Sequence, residues 1–253
     1  QAATEHADTV KTVEGQDIGD IVITKKKNGI TRVGGAVNGQ LINQSELFKA
    51  ACCNLGESFV TNPSVDVNYS DPATGSKQIK LLGLSGKYVQ MLTENLPDFR
   101  GASMPYSLEY VPGRWMNSIQ VSKGNSSVRN GYEAMTGQIN IEYLKPEAEE
   151  GMSVDLYTED NWSTELNAEG NVHLNKRLST QLFGHFNHDN CDDSDGDGFQ
   201  QMPTMHQYNF MNRWAYLGDK YIFHGGLSFI NEKRESGQMA EHVMASSEPL
   251  FRV

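Results

Sequence analysis

From Gly151 to Asn231 the sequence alternates apolar and polar residues with a period of two, over stretches longer than an ordinary soluble strand. In TELNAEGNVHLN, Leu166, Ala168, Gly170, Val172 and Leu174 alternate with Glu165, Asn167, Glu169, Asn171 and His173. STQLFGHFNH sets Leu182, Gly184 and Phe186 against Gln181, His185 and Asn187, with Phe183 breaking the pattern. QYNFMNRWAYLGDKYIFHGGLSFIN carries Tyr208, Phe210, Trp214 and Tyr216 on one face, turns at Gly218-Asp219, and continues through Tyr221, Phe223, Leu227 and Phe229. GMSVDLYTED adds Met152, Val154 and Leu156. Successive side chains of a strand point to opposite faces, so this period predicts strands. Their expected length is roughly eight to twelve residues, against about five or six in soluble sheets and about nine to eleven for a strand that crosses a membrane.

The connections alternate too. Leu174–Leu178 and Leu217–Lys220 are tight, whereas Asp189–His206 is long and acidic. Short turns on one side, long loops on the other and aromatic residues near strand ends (Trp162, Tyr208, Trp214, Tyr216, Tyr221) suit a transmembrane barrel. A soluble antiparallel sandwich shares the alternation and stays open as the alternative. No run approaches the eighteen or so apolar residues of a spanning helix, which does not bear on a barrel. The formal net charge of -11 argues against nucleic acid as a partner.

Up to Pro146 the pattern is mixed. SELFKAACCNL (Ser45–Leu55) predicts a short helix capped by Ser45. SVDVNYS, KQIKLLGL and KYVQMLTENLP predict strands, and YVPGRWMNS a short helix. Ile119 and Val121, then Ile139, Ile141 and Tyr143, mark two further strands around a polar arch, Lys123–Gly137. The expectation is a small mixed sheet with short helices from about Val33 to Leu144, with Ile119, Val121, Ile139 and Ile141 facing its core. Cys52 and Cys53 read as packed thiols, since a bridge between neighbours is strained. Cys191 lies in the acidic loop, and a Cys52–Cys191 bridge has no support in the pattern.

MNSIQVSKGNSSVRNGYEAMTGQINIEYLKP resembles the end of the plug domain of TonB-dependent outer-membrane receptors, in a Bacteroidetes-like form. Ile119, Val121 and Gly124 match that family's IExIEVxxGP strand. Ser127, Gly131, Ala134, Gly137, Ile139, Asn140, Ile141, Lys145 and Pro146 match its SxxYGxxAxGGxINIxTKxP segment. Asn125 stands where the family has Pro, and Thr136 replaces the first Gly of its pair. GSKQIKLLGLSGKYVQMLTENLPDF resembles an earlier plug unit, with Leu82-Gly83 for the usual Arg-Gly and Glu94-Asn95 for the usual Asp-Gly. The fold class implied is an α+β plug domain followed by antiparallel transmembrane β-barrel strands. The barrel is incomplete, because family barrels close with about 22 strands. The implied division is an extension over residues 1–32, a plug over 33–146 and the first barrel strands over 147–253. A fragment of a longer receptor, or a short form completed by a partner, is expected. QAATEHAD at the start reads as a processed terminus or a cloning boundary.

The resemblance implies active uptake of a small nutrient ligand (metal chelate, haem, cobalamin or glycan) and no enzymatic activity. It places the protein in the bacterial outer membrane, among its lipids, with the plug facing the periplasm. It implies the TonB carboxy-terminal domain as partner, and a surface lipoprotein as a further one. GDIVITKK resembles a TonB box over Asp20, Ile21, Val22, Ile23 and Thr24. Its β-branched residues favour an extended chain able to extend another protein's sheet edge; an ordinary first plug strand is the other reading.

DDSDGDGF places Asp193, Asp195 and Asp197 at positions one, three and five of an EF-hand-type loop, Gly198 at six and the Phe199 carbonyl at seven. Thr204 stands at position twelve instead of Glu, and no helices flank the segment. The expectation is Ca²⁺ in a surface loop, with a solvated acidic loop as the alternative. His185 and His188 lie near Cys191, but their spacing puts them on opposite faces of a strand. GLSGK lacks the first glycine and the hydroxyl residue of a phosphate loop. The competing function is a soluble secreted calcium-binding β-rich adhesin or carbohydrate-binding module, which leaves the plug motifs unexplained.

Overall fold

The computed structural model describes residues 30–33, 38–49, 54–59, 65–71, 74–124, 130–190, 193 and 195–239. In chain order, β1 (Ile30–Val33) and β2 (Asn38–Asn43) precede a short helix, α1 (Gln44–Lys49). A three-stranded sheet follows, of β3 (Asp66–Asp71), β4 (Ser76–Leu81) and β5 (Leu84–Ser85). Then come β6 (Val89–Thr93), β7 (Leu96–Pro97), β8 (Met116–Lys123) and β9 (Gly137–Tyr143). They join the first two strands in a six-stranded sheet ordered β1-β2-β8-β9-β6-β7. β6 runs parallel to β9; the other neighbours are antiparallel.

The alternation around the polar arch delivers the core. Ile119 lies opposite Ile141 and Val121 opposite Ile139, and all four are buried. The other face is covered as well. Asn140 is buried there, its Oδ1 accepting the Asn95 N–H at 2.8 Å and its Nδ2 donating to Glu142 at 3.0 Å. Gly137 is dictated by close approach: a Cβ there would lie 2.2 Å from the Ser122 carbonyl oxygen. Gly124 takes φ +91°, which closes β8 before the arch.

Two local expectations change. Ser45 falls inside the first turn of α1 and caps nothing; its buried Oγ has no partner among the described residues. The segment before β8 is a single 3₁₀ turn, Gly113–Trp115, because Pro112 enters extended and Met116 already belongs to the sheet. Cys52, Cys53 and Cys191 lie outside the described residues.

The second half is one antiparallel sheet in sequential order: β10 (Gly151–Thr158), β11 (Thr164–Asn175), β12 (Leu178–Asp189), β13 (Thr204–Leu217) and β14 (Ile222–Glu235). Its polarity is inverted relative to a soluble sheet. Glu165, Asn167, Asn171, Gln181, His185, Asn187, Gln207, Asn209 and Arg213 are buried on one face. Val154, Leu156, Leu166, Leu182, Tyr208, Phe210, Trp214, Leu227 and Phe229 are exposed on the other. The eight steps from Tyr208 to Tyr216 span about 26 Å along the strand, or about 20 Å along a barrel axis at a typical tilt. No helix among the described residues is long and apolar enough to cross a membrane. Among the described residues β10 and β14 each have a neighbour on one side only, so the wall described is an unclosed arc.

Candidate functional site: the plug–wall seam and the cavity beside it

The polar face of the arc meets the first domain along a seam. Phe183, the residue that breaks the β12 alternation, sits on this inward face with no exposure and stacks on Trp115 at 5.1 Å between ring centroids. With Met211 it joins the apolar cluster of the first domain. Hydrogen bonds surround this apolar contact. Gln207 Nε2 donates to the Glu109 carbonyl at 3.1 Å and Asn209 Nδ2 to the Tyr110 carbonyl at 3.0 Å.

Lower on β13, Arg213 donates to the Leu144 carbonyl at 2.5 Å and to the Glu94 carboxylate. Its guanidinium lies 5.7 Å from the centre of the Tyr143 ring. Lys145 Nζ reaches Glu94 at 2.7 Å and Glu142 at 3.0 Å. Glu94 and Asn95 occupy the two-residue turn between β6 and β7 with φ of +51° and +65°, a conformation ordinarily left to Gly, Asn or Asp. The turn aims Glu94 at the wall. Burial works to raise the Glu94 carboxyl, but hydrogen bonds from Lys145 and the Arg213 charge outweigh it and hold it below its ordinary value. On Lys145 burial is likewise outweighed, by Glu94 and Glu142, and the ammonium is held above its ordinary value.

At the end of the arc that carries the long β12–β13 connection, the first domain and the arc flank an open cavity of about 380 Å³. Arg234 of β14 donates to the Thr74 carbonyl at 2.8 Å, to Glu109, and to Glu232 at 2.6 and 3.0 Å, with its guanidinium 5.0 Å from the Tyr106 ring centre. Lys77 of β4 pairs with Glu109 at 3.3 Å. Burial alone would lower the Lys77 ammonium; Glu109 leads the neighbours that hold it above its ordinary value.

The acidic loop lies in the same connection. Asp193, Asp195 and Asp197 bring carboxylate oxygens within 4.8 Å of one another. Asp193 accepts backbone N–H groups of Gly196 at 2.7 Å, Asp197 at 3.1 Å and Gly198 at 2.7 Å. These bonds, led by Gly198, overcome the desolvation that would raise its carboxyl and hold it below its ordinary value. Phe199 bridges Gln238 and gives its N–H to Asp197 Oδ1 at 2.8 Å. Of the four predicted residues, the carboxylates of Asp193, Asp195 and Asp197 are brought together. Asp20–Thr24 lies outside the described residues. His185 points inward, 3.0 Å from Asn167 Oδ1, whereas His188 points outward and stacks on His206 at 4.4 Å, so the two share no site.

Residues 30–138 match the TonB-dependent receptor plug domain. The first domain is therefore a TonB-dependent receptor plug domain. The fold extends the match into the wall. The chain is similar to the siderophore receptor PirA from Acinetobacter baumannii, at TM-score 0.57 and 20% identity over 79% of this chain and 31% of that one. It is similar to the ferric-catecholate import receptor Fiu from Escherichia coli, at TM-score 0.63 and 14% identity over 80% and 28%. It is also similar to the copper transporter OprC, at TM-score 0.63 and 16% identity over 83% and 33%. The chain thus spans about a third of the length of these receptors. No curated protein matches it by sequence. The first domain is thus the plug, and the arc has the fold of the beginning of the barrel wall in those receptors.

Sequence reasoning missed Glu94, Arg213, Glu109, Arg234 and Lys77. Two signals were available. Phe183 was an apolar residue at a polar position, and Arg213 was a cation in the aromatic-rich β13 in phase with the polar face.

Proposed function

We propose that this chain forms the plug and first wall strands of an outer-membrane receptor that takes up a small metal chelate, driven by TonB. One observation carries the reading: a wall with its apolar face outward and its polar face hydrogen-bonded to a plug domain. Only a lipid surround makes that inversion favourable. In this reading the long connections face the outside, and the short turns at 176–177 and 218–221 face the periplasm. Asp20–Thr24 extends a sheet edge of the TonB carboxy-terminal domain. The names of similar receptors, which include siderophore, ferric-catecholate and copper carriers, favour a metal-bearing ligand over haem, cobalamin or glycan. Asp193, Asp195, Asp197 and the Phe199 carbonyl hold Ca²⁺ at roughly 2.3–2.6 Å, stiffening the loop beside the ligand cavity. A surface lipoprotein covering the mouth is a further partner in this reading.

Backbone pairing makes one comparison informative. Val22→Pro removes a donor and fixes φ, whereas Val22→Ala keeps the backbone intact. In the complete receptor, ligand binding survives both changes, while TonB binding and energised uptake fail with proline alone. Normal uptake by the proline variant would remove the box from the account.

A further inference from the structure

We infer that the cavity between plug and wall selects ligands carrying net positive charge and excludes polyanionic chelates of similar size. The inference rests on the receptor reading above and specifies its ligand.

At about 380 Å³ the cavity is in the range of small-molecule sites, which runs from about 300 Å³. Its two cations are already engaged: Lys77 with Glu109, and Arg234 with Glu109 and Glu232. These four groups sum to zero charge. Three more carboxylates line the cavity: Glu57, which acts on Lys77, and Glu159 and Asp189. Glu159 and Asp189 accept hydrogen bonds from neutral donors, Tyr157 Oη at 3.3 Å and Asn187 Nδ2 at 3.1 Å respectively. A neutral donor stabilises a carboxylate without cancelling its charge, so the formal sum stays negative. Gln201, which also lines the cavity, donates to Asp195 Oδ1 at 2.7 Å and so fastens the acidic loop beside the cavity. A concave, partly desolvated site lined by one sign of charge concentrates its field on whatever enters. An arriving anion meets carboxylates there, and the two cations that could receive it are held by other groups.

The test uses two inert octahedral probes of similar size and opposite charge, hexaamminecobalt(III) and hexacyanocobaltate(III). Binding to the complete receptor in detergent is measured by calorimetry at low and high salt. An Asp195→Asn/Asp197→Asn background removes the charge of the exposed loop. The cation is expected to bind, to weaken as salt rises, and to lose roughly fivefold in affinity with each of Glu159→Gln and Asp189→Asn. The anion is expected to give no heat of binding. Equal or tighter binding of the anion would overturn the inference. So would cation binding that disappears in the loop background, or that ignores both cavity substitutions. Capture of the TonB carboxy-terminal domain by the same preparation tests the receptor reading separately. A receptor that holds TonB but not the cation defeats only the inference; one that holds the cation but not TonB defeats only the reading.

Discussion

Replacing Phe183 with alanine isolates the attachment of plug to wall. The ring is wholly buried on the inward face of β12 and packs on Trp115 of the plug. Truncating a buried Phe to Ala costs about 3–5 kcal/mol, of which an aromatic pair supplies about 0.5–1.5 kcal/mol. Part of the ring's packing is against its own wall, so the lower end applies to the seam. At about 1.4 kcal/mol per factor of ten, a loss of about 3 kcal/mol raises the open population of the seam roughly a hundredfold. Hydrogen exchange on the complete receptor reads this directly. Amides of β9 and of the Trp115 turn should exchange about a hundred times faster, while β11–β13 amides, held by the wall ladder, keep their protection. Leu182→Ala, one residue away on the exposed face, is the control and should leave plug exchange unchanged. Unaltered β9 exchange in Phe183→Ala, or an equal loss of protection in the wall, would refute the reasoning.

Glu94 gives the seam an acid limit. Its folded pKa lies below its ordinary 4.5, so its contribution is fully present above pH 4.5 and disappears as pH falls through the folded value. Plug exchange near Glu94 should rise in that acid range, and Glu94→Gln should abolish the pH step. Gly137→Ala pushes a Cβ into the Ser122 carbonyl and should cost more than about 2 kcal/mol, seen as loss of plug protection with the wall intact. If the acidic loop binds Ca²⁺, removing the ion with chelator should speed exchange over 193–199 and leave β12 and β13 unchanged, and Asp193→Asn should reproduce that effect.

The strands were legible because each alternates over many residues, and the resemblance supplied the order of the plug elements. Alternation alone does not say which face of the wall points inward, since it is the same whether the apolar side meets a core or lipid; the resemblance supplied the lipid-facing reading. Phe183 held that information: an apolar residue in phase with Gln181 and His185 faces the plug only if the polar side is the inside. Glu94-Asn95 and Leu82-Gly83 replace the family's usual turn pairs, and the chain still takes φ of +51° and +65° at the first and +54° and +79° at the second. At Glu94 the ion pairs with Arg213 and Lys145 explain the choice; nothing in the structure explains Leu82. The seam and the cavity join residues up to 160 positions apart, as in Thr74–Arg234, a juxtaposition that only the folded wall creates.

The claim that the apolar face of the wall meets lipid is tested most directly by site-specific accessibility in membranes. Nitroxide labels at Phe210→Cys, Leu227→Cys and Phe229→Cys of the complete receptor, in bilayers and with the native cysteines replaced, should relax strongly with dissolved oxygen and weakly with a water-soluble nickel chelate. A label at Asn209→Cys, one residue from Phe210 and turned toward the plug, should respond weakly to both. Strong relaxation of the three outward labels by the nickel chelate would place that face in water and contradict the account.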